Sequence, residues 1–227
     1  MPNAVGDASE FLGVLQDEIR QIRDGSLPLE ALKGFVAHRQ IRRFALGETV
    51  DSTFKDLRDR WEEEYTCDLS DVLIPEPQDG FDWLIIVRKG LWPNEAYERL
   101  QKLKIPLWRY TENLNDIISV REPFDRSYGV WLKKRQEADD EFRNKSFDDV
   151  WRSVNGITIT EYFVAERDWF KQSSGGHLDE NSLTFCTGSR LPVDLVPSVN
   201  WHDGKVCVDW SNHVDAGPGM GARQVVS

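Results

Sequence analysis

The stretch PSVNWHDGKVCVDW, residues 197–210, constrains this chain more than any other. Asp203-Gly204 at its centre is a pair that tolerates positive φ, and a two-residue loop of this kind twists in the same sense as the strands it joins. Such a loop leaves one register: His202 opposite Lys205, Trp201 opposite Val206, Asn200 opposite Cys207, and Val199 opposite Val208. Side chains alternate between the two faces of a strand. Val199, Trp201, Val206, Val208 and Trp210 therefore share one face, which is expected in the core. Asn200, His202, Lys205, Cys207 and Asp209 share the other, which is solvated or lines a site. Whatever else folds must cover the first face.

Upstream, the pattern changes along the chain. Phe11, Leu12, Leu15, Ile19 and Ile22 recur at helical spacing, capped by Asp7 or Ser9 and stopped at Asp24-Gly25. A second helix is expected from Pro28, where a missing N–H costs nothing, and a third after Asp51, with Phe54, Leu57 and Trp61 on one side. Residues 74–80, IPEPQDG, read as a linker. FDWLIIV (81–87) then reads as a buried strand, residues 93–103 as a helix and IPLWRY (105–110) as a strand. Such a crossover predicts a parallel pair. SYGVWLKK (127–134) is a third strand, the charged run 137–145 begins a helix, and Phe147, Val150 and Trp151 form a short amphipathic piece. Thr158-Ile-Thr-Glu161 is a capping box opening a helix with Tyr162, Phe163, Trp169 and Phe170, which ends at residues 173–176. GPGMGAR (217–223) reads as a flexible Gly-rich loop, with a last edge strand at 224–226. The fold class is α+β: an N-terminal helical subdomain (1–73) packed on a mixed β-sheet with a C-terminal β-hairpin, the α+β domain covering 81–227.

The formal net charge is −11, and both halves are acidic, so the chain repels a phosphate backbone or an anionic membrane surface. Neither nucleic acid nor membrane is expected as a partner. The basic cluster HRQIRR (His38, Arg39, Arg42, Arg43) reads as a solvated helix end, or as a small anion or partner contact. Three cysteines with no CxxC pair fit a reducing cytoplasm rather than a disulfide scaffold. No signal peptide is read at the N-terminus, and the longest aliphatic run, residues 84–87, is far too short to span a bilayer.

One stretch, HLDENSLTFCTGSR (177–190), concentrates reactive side chains. Gly188 permits a turn in which backbone amides converge, and Ser189 and Arg190 stand beside it, so the turn can hold an anion through amides, a hydroxyl and a guanidinium fork. Cys186 is a nucleophile if nearby cations lower its pKa. His177 or His202 is then the base, with Asp179 as base or orienter. The spacing from Cys186 to Arg190 is shorter than in the cysteine-phosphatase signature. The bland alternative is a buried Cys186, an Arg190 ion pair and a His177 bonded to backbone. Zinc held by His177, His202, His213, Cys186 and Cys207 would need convergence from the fold alone, because no ligand spacing is present; no metal or cofactor is expected. There is no GxSxG, Walker loop or GxGxxG. Two functions follow: a binding or protein-interaction module without catalysis, whose partner is a protein or small-molecule ligand, or a small enzyme acting on an anionic substrate through the Cys186–Arg190 turn.

The segments IPEPQDGFDWLIIVRKGL, PLWRYTENLN, YGVWLKKRQEADDEFRNKS, GITITEYFVAERDWFKQSSGGHLD, LTFCTGSR and VPSVNWHDGKVCVDW, in that order over residues 55–227, resemble a family of uncharacterised bacterial proteins from environmental and uncultured-lineage genomes. The resemblance implies a stand-alone intracellular bacterial protein and no mechanism. In that pattern a polar Ser-Asp-Gly loop usually follows the Gly-Ser-Arg turn. Here Leu191-Pro192-Val193-Asp194 follow it.

Overall fold

A computed structural model describes residues 52–119, 125–151, 154–191 and 195–227, with side chains from residue 56 onward, and all of them fall in one compact unit. The two helices expected before residue 51 and the basic cluster at 38–43 lie outside the described residues. Helix α1 (Ser52–Tyr65) is followed by strand β1 (Trp83–Val87), helix α2 (Pro93–Lys102), strands β2 (Leu107–Arg109), β3 (Ile118–Ser119) and β4 (Tyr128–Leu132), the single turn α3 (Phe147–Val150) and helix α4 (Ile159–Gln172). Then come β5 (Leu183–Phe185), β6 (Ser189–Arg190), the hairpin β7 (Leu195–His202) and β8 (Lys205–Asn212), β9 (Met220–Ala222) and β10 (Val225–Val226). The class is α+β. An antiparallel sheet has the order β1-β4-β10, a mixed sheet the order β2-β8-β7-β5-β9, and β3 pairs β6.

The hairpin forms in the expected register, from Val199↔Val208 to His202↔Lys205, and both turn residues, Asp203 and Gly204, have positive φ. Its core face ends sooner than the alternation suggests. Val199, Val206 and Val208 are buried, but Trp210 is 45% exposed. Beyond Val208 the opposite face is the covered one: Val196 packs with Phe147 and Phe185 in a small second core, and Ser198 and Ser211 meet there, hydroxyl to hydroxyl.

Helix α4 lies at the centre, packed against α2 and β1. The capping box is formed: the Thr158 hydroxyl accepts from the Glu161 amide, and Glu161 Oε2 accepts from the Thr158 amide at 2.8 Å. Nearly every residue from Ile159 to Asp168 is buried. Burying Tyr162 and Phe163 contributes on the order of 2 kcal/mol each. Three acids are carried in with them, and each is given donors, because an unpaired buried carboxylate is strongly destabilising. Glu161 accepts from the Tyr128 hydroxyl, Glu166 from the Leu178 amide, and Asp168 from the Trp83 indole and the Gln172 amide. Trp61, Tyr65 and Leu69 share one core with β1 and α4. The stretch 74–80 follows the Leu73↔Tyr128 bridge and is tied to β4 by the Trp131 indole, which donates to Pro75 O.

Three expectations are corrected. β1 and β2 do not pair. β1 lies antiparallel to β4, while β2 runs parallel to β8, because Val206 N donates to Pro106 O and Tyr110 N to Val208 O; the crossover rule holds only within one sheet. The run 137–145 forms only a 3₁₀ turn, Asp140–Phe142. Its donors bond elsewhere: Ala138 N to the Ser182 hydroxyl, Asp139 N to Ala222 O and Asn144 N to Met220 O. The Gly-rich segment is not a free loop, since β9 lies parallel on β5 and Arg223 is 1% exposed.

Candidate functional site

The residues from His177 to Arg190 wrap α4. Cys186 is fully buried within the main core. Burial first, then the neighbouring Asp179 and Glu161 charges, push its thiol well above the usual cysteine range, the reverse of what a nucleophile needs. His177 lies flat on Trp201, with ring centroids 3.5 Å apart, and its Nδ1 meets Glu166 Oε1 at 2.6 Å. Burial raises the Glu166 carboxyl, and the His177 bond offsets only part of that. His202 stands exposed at the end of β7. Among the described residues neither histidine hydrogen-bonds Cys186.

The anion-holding groups of the turn already have partners. Thr187 N donates to Phe185 O, Gly188 N to Ile157 O and Ser189 N to Cys186 O. The Ser189 hydroxyl accepts from Ile159 N, in the first turn of α4. Arg190 spends Nη1 on the Thr187 and Ser189 carbonyls and lies over the Phe147 and Trp151 rings at 4.2 and 4.9 Å. Asp179 is fully buried and ion-paired to Arg223. Gly188 and Ser189 thus fasten the start of α4 to the turn, and Arg190 ties the turn to Phe147 and Trp151. The matching measurement is thiol alkylation. In the folded protein Cys67, which is exposed, reacts with iodoacetamide, while Cys186 stays unlabelled until denaturant is added. Labelling of native Cys186 at a rate near that of Cys67 would contradict this placement.

A cleft of about 530 Å³ opens at the C-terminal end of β1. Arg88 and Lys89 come from the end of that strand, Arg99 from α2, Ser127 from the start of β4, and Cys67, Asp68 and Asp71 from the segment after α1. Tyr65 also lines it; its hydroxyl donates to Ile86 O at 2.7 Å, and Arg99 lies over its ring. Both guanidiniums bind one carboxylate, Glu95. Burial raises the Glu95 carboxyl, but the Arg88 and Arg99 bonds outweigh it and hold the group below its ordinary range. The Ser127 hydroxyl accepts from Lys89 N. The Lys89 ammonium has no ion-pair partner among the described residues. Burial lifts the Cys67 thiol despite the pull of Arg88, so this exposed thiol is not activated either. The one sequence signal for the cleft was Arg88-Lys89-Gly90, two cations at the end of a buried strand followed by a turn glycine with φ of +68°. The groups around them arrive from distant segments, so spacing did not reveal them.

Among the described residues no three His, Cys, Asp or Glu side chains gather where they could hold a metal ion, and no helix is long and apolar enough to cross a membrane. No family model, curated protein or solved structure matches the chain.

Proposed function

We propose that this chain is a binding protein without thiol catalysis, and that its site is the cleft at the end of β1, taking a small molecule with an anionic group. One observation carries the reading. In a chain of net charge −11, three cationic side chains line a single cleft, two of them sharing one carboxylate and the third without an ion-pair partner among the described residues. A volume of this size suits a small ligand, and a guanidinium or ammonium beside a partly desolvated anion makes the stronger, charge-assisted class of hydrogen bond. The raised thiols of Cys67, Cys186 and Cys207 favour binding over chemistry at sulfur. Three free cysteines support a cytoplasmic setting.

The test is titration calorimetry with inorganic phosphate, sulfate and succinate. At least one is expected to bind, and Lys89→Glu is expected to weaken that binding by at least about tenfold, equivalent to about 1.4 kcal/mol, with the unfolding midpoint unchanged. No measurable heat with any of the three, or equal affinity in Lys89→Glu, overturns the reading.

A further inference from the structure

We infer that the ligand of this cleft is zwitterionic, carrying an ammonium group as well as the anionic group, as an amino acid or a short peptide does; this rests on the cleft being the binding site. The cleft is lined by opposite charges from different parts of the chain. Arg88, Lys89 and Arg99 come from the end of β1 and from α2, while Asp68 and Asp71 come from the segment that follows α1. The two sets do not neutralise each other. Among the described residues no ion pair joins Asp68 or Asp71 to Arg88, Lys89 or Arg99; the two arginines turn instead to Glu95. Asp68 Oδ1 accepts from Ser70 N at 2.8 Å, and the Ser70 backbone and side chain together hold its carboxyl below the usual range.

Lys89 on one side and Asp68 and Asp71 on the other, none of them ion-paired among the described residues, put charges of both signs on one cavity and set its preference. A simple anion gains from the cations but is repelled by two carboxylates; a simple cation meets the converse. A molecule with both groups gains on both sides, and like-charge repulsion excludes its competitors. An organic ammonium can donate charge-assisted hydrogen bonds to such carboxylates.

The probes are a ladder of straight-chain ω-amino acids from glycine to ε-aminohexanoate, each with its des-amino carboxylate and its des-carboxy amine, titrated into the full chain. One amino acid of the ladder is expected to bind at least about tenfold more tightly than either truncated partner. In the Asp68→Asn/Asp71→Asn double variant the amino acid should fall to the level of its des-amino carboxylate. The carboxylate should bind that variant no more weakly than it binds the parent. If the des-amino carboxylate binds the parent as tightly as the amino acid does, or if only inorganic phosphate or sulfate binds, the zwitterion inference is overturned and the anion-binding cleft stands. If no anion of any kind binds, both fall.

Discussion

Asp179→Ala is expected to lower the stability of this protein by about 3–5 kcal/mol, the cost of leaving a buried charge without its partner. The carboxylate is fully buried and accepts from four side chains. The Tyr162 hydroxyl and the Thr184 hydroxyl donate to Oδ2 at 2.9 and 2.8 Å. The Ser182 hydroxyl and Arg223 Nη2 donate to Oδ1 at 2.6 and 2.9 Å. Arg223 also donates to the carbonyls of Arg135 and Gln136. One ion pair therefore ties α4, β5, the loop after α4 and the C-terminal strands together. Burial opposes the Arg223 charge, but Asp179 outweighs it and raises the guanidinium above its ordinary value. Removing Asp179 strands that cation in the core with three hydroxyls. Native domains are stable by only about 5–15 kcal/mol, so a large share of the margin goes, and the unfolding temperature drops on the order of 10 °C for a unit of this size. Urea denaturation of Asp179→Ala, Arg223→Met and the double variant measures it. The double variant should lose clearly less than the sum of the singles, because neither charge is left alone. A single Asp179→Ala loss below about 1 kcal/mol, the range of an ordinary substitution, would sink the idea that this pair is a keystone.

The elements that the sequence made legible are those whose signal is local. Asp203-Gly204 set the register of β7 and β8, and Thr158 with Glu161 set the start of α4, because in each case the chemistry lies within a few residues. What stayed hidden is long-range. The aromatic residues of helix α4 mark it as a core helix, but not that it is buried around most of its circumference, where Glu161, Glu166 and Asp168 find partners on Tyr128, His177 and Trp83, all far from them in sequence or across a loop. Arg223 looked like part of a Gly-rich loop, because nothing beside it announced that Asp179, which lies 44 residues away, would need a cation. The stretch 177–190 concentrates reactive residue types. The structure uses those same groups for packing: a thiol in the core, a hydroxyl on the first turn of a helix, a guanidinium over two aromatic rings. Residue type suggested reactivity there, and the fold places Cys186 and Ser189 in its interior. The cleft shows the converse, since Arg88, Arg99 and Asp68 are ordinary surface residue types until the fold brings them to one cavity.

Gly188→Ala is expected to destabilise the protein by about 3 kcal/mol, the upper part of the range for overpacking. A Cβ on Gly188 would stand 2.5 Å from the Gly156 carbonyl oxygen and 3.1 Å from the Ile157 carbonyl carbon. Those are backbone atoms, and they cannot swing aside. The Ile157 amide donates to Arg223 O, and its carbonyl accepts from Gly188 N, while Gly156 bridges Gln224. The segment before α4 is thus threaded between the turn that follows β5 and the C-terminal strands, and glycines let the backbones approach. Gly80→Ala is the control. There a Cβ meets nothing within 4 Å, but φ is +83°, so the cost is that of left-handed backbone, about 1–2 kcal/mol. Urea midpoints for the two variants separate steric crossing from backbone strain. If Gly188 serves the crossing, Gly188→Ala is the more damaging of the two, and succinate or phosphate affinity at the cleft in the folded fraction is unchanged. If Gly188→Ala leaves the midpoint in place while ligand affinity falls, the turn from Cys186 to Arg190 is a binding element after all, and the cleft at the end of β1 is not the site.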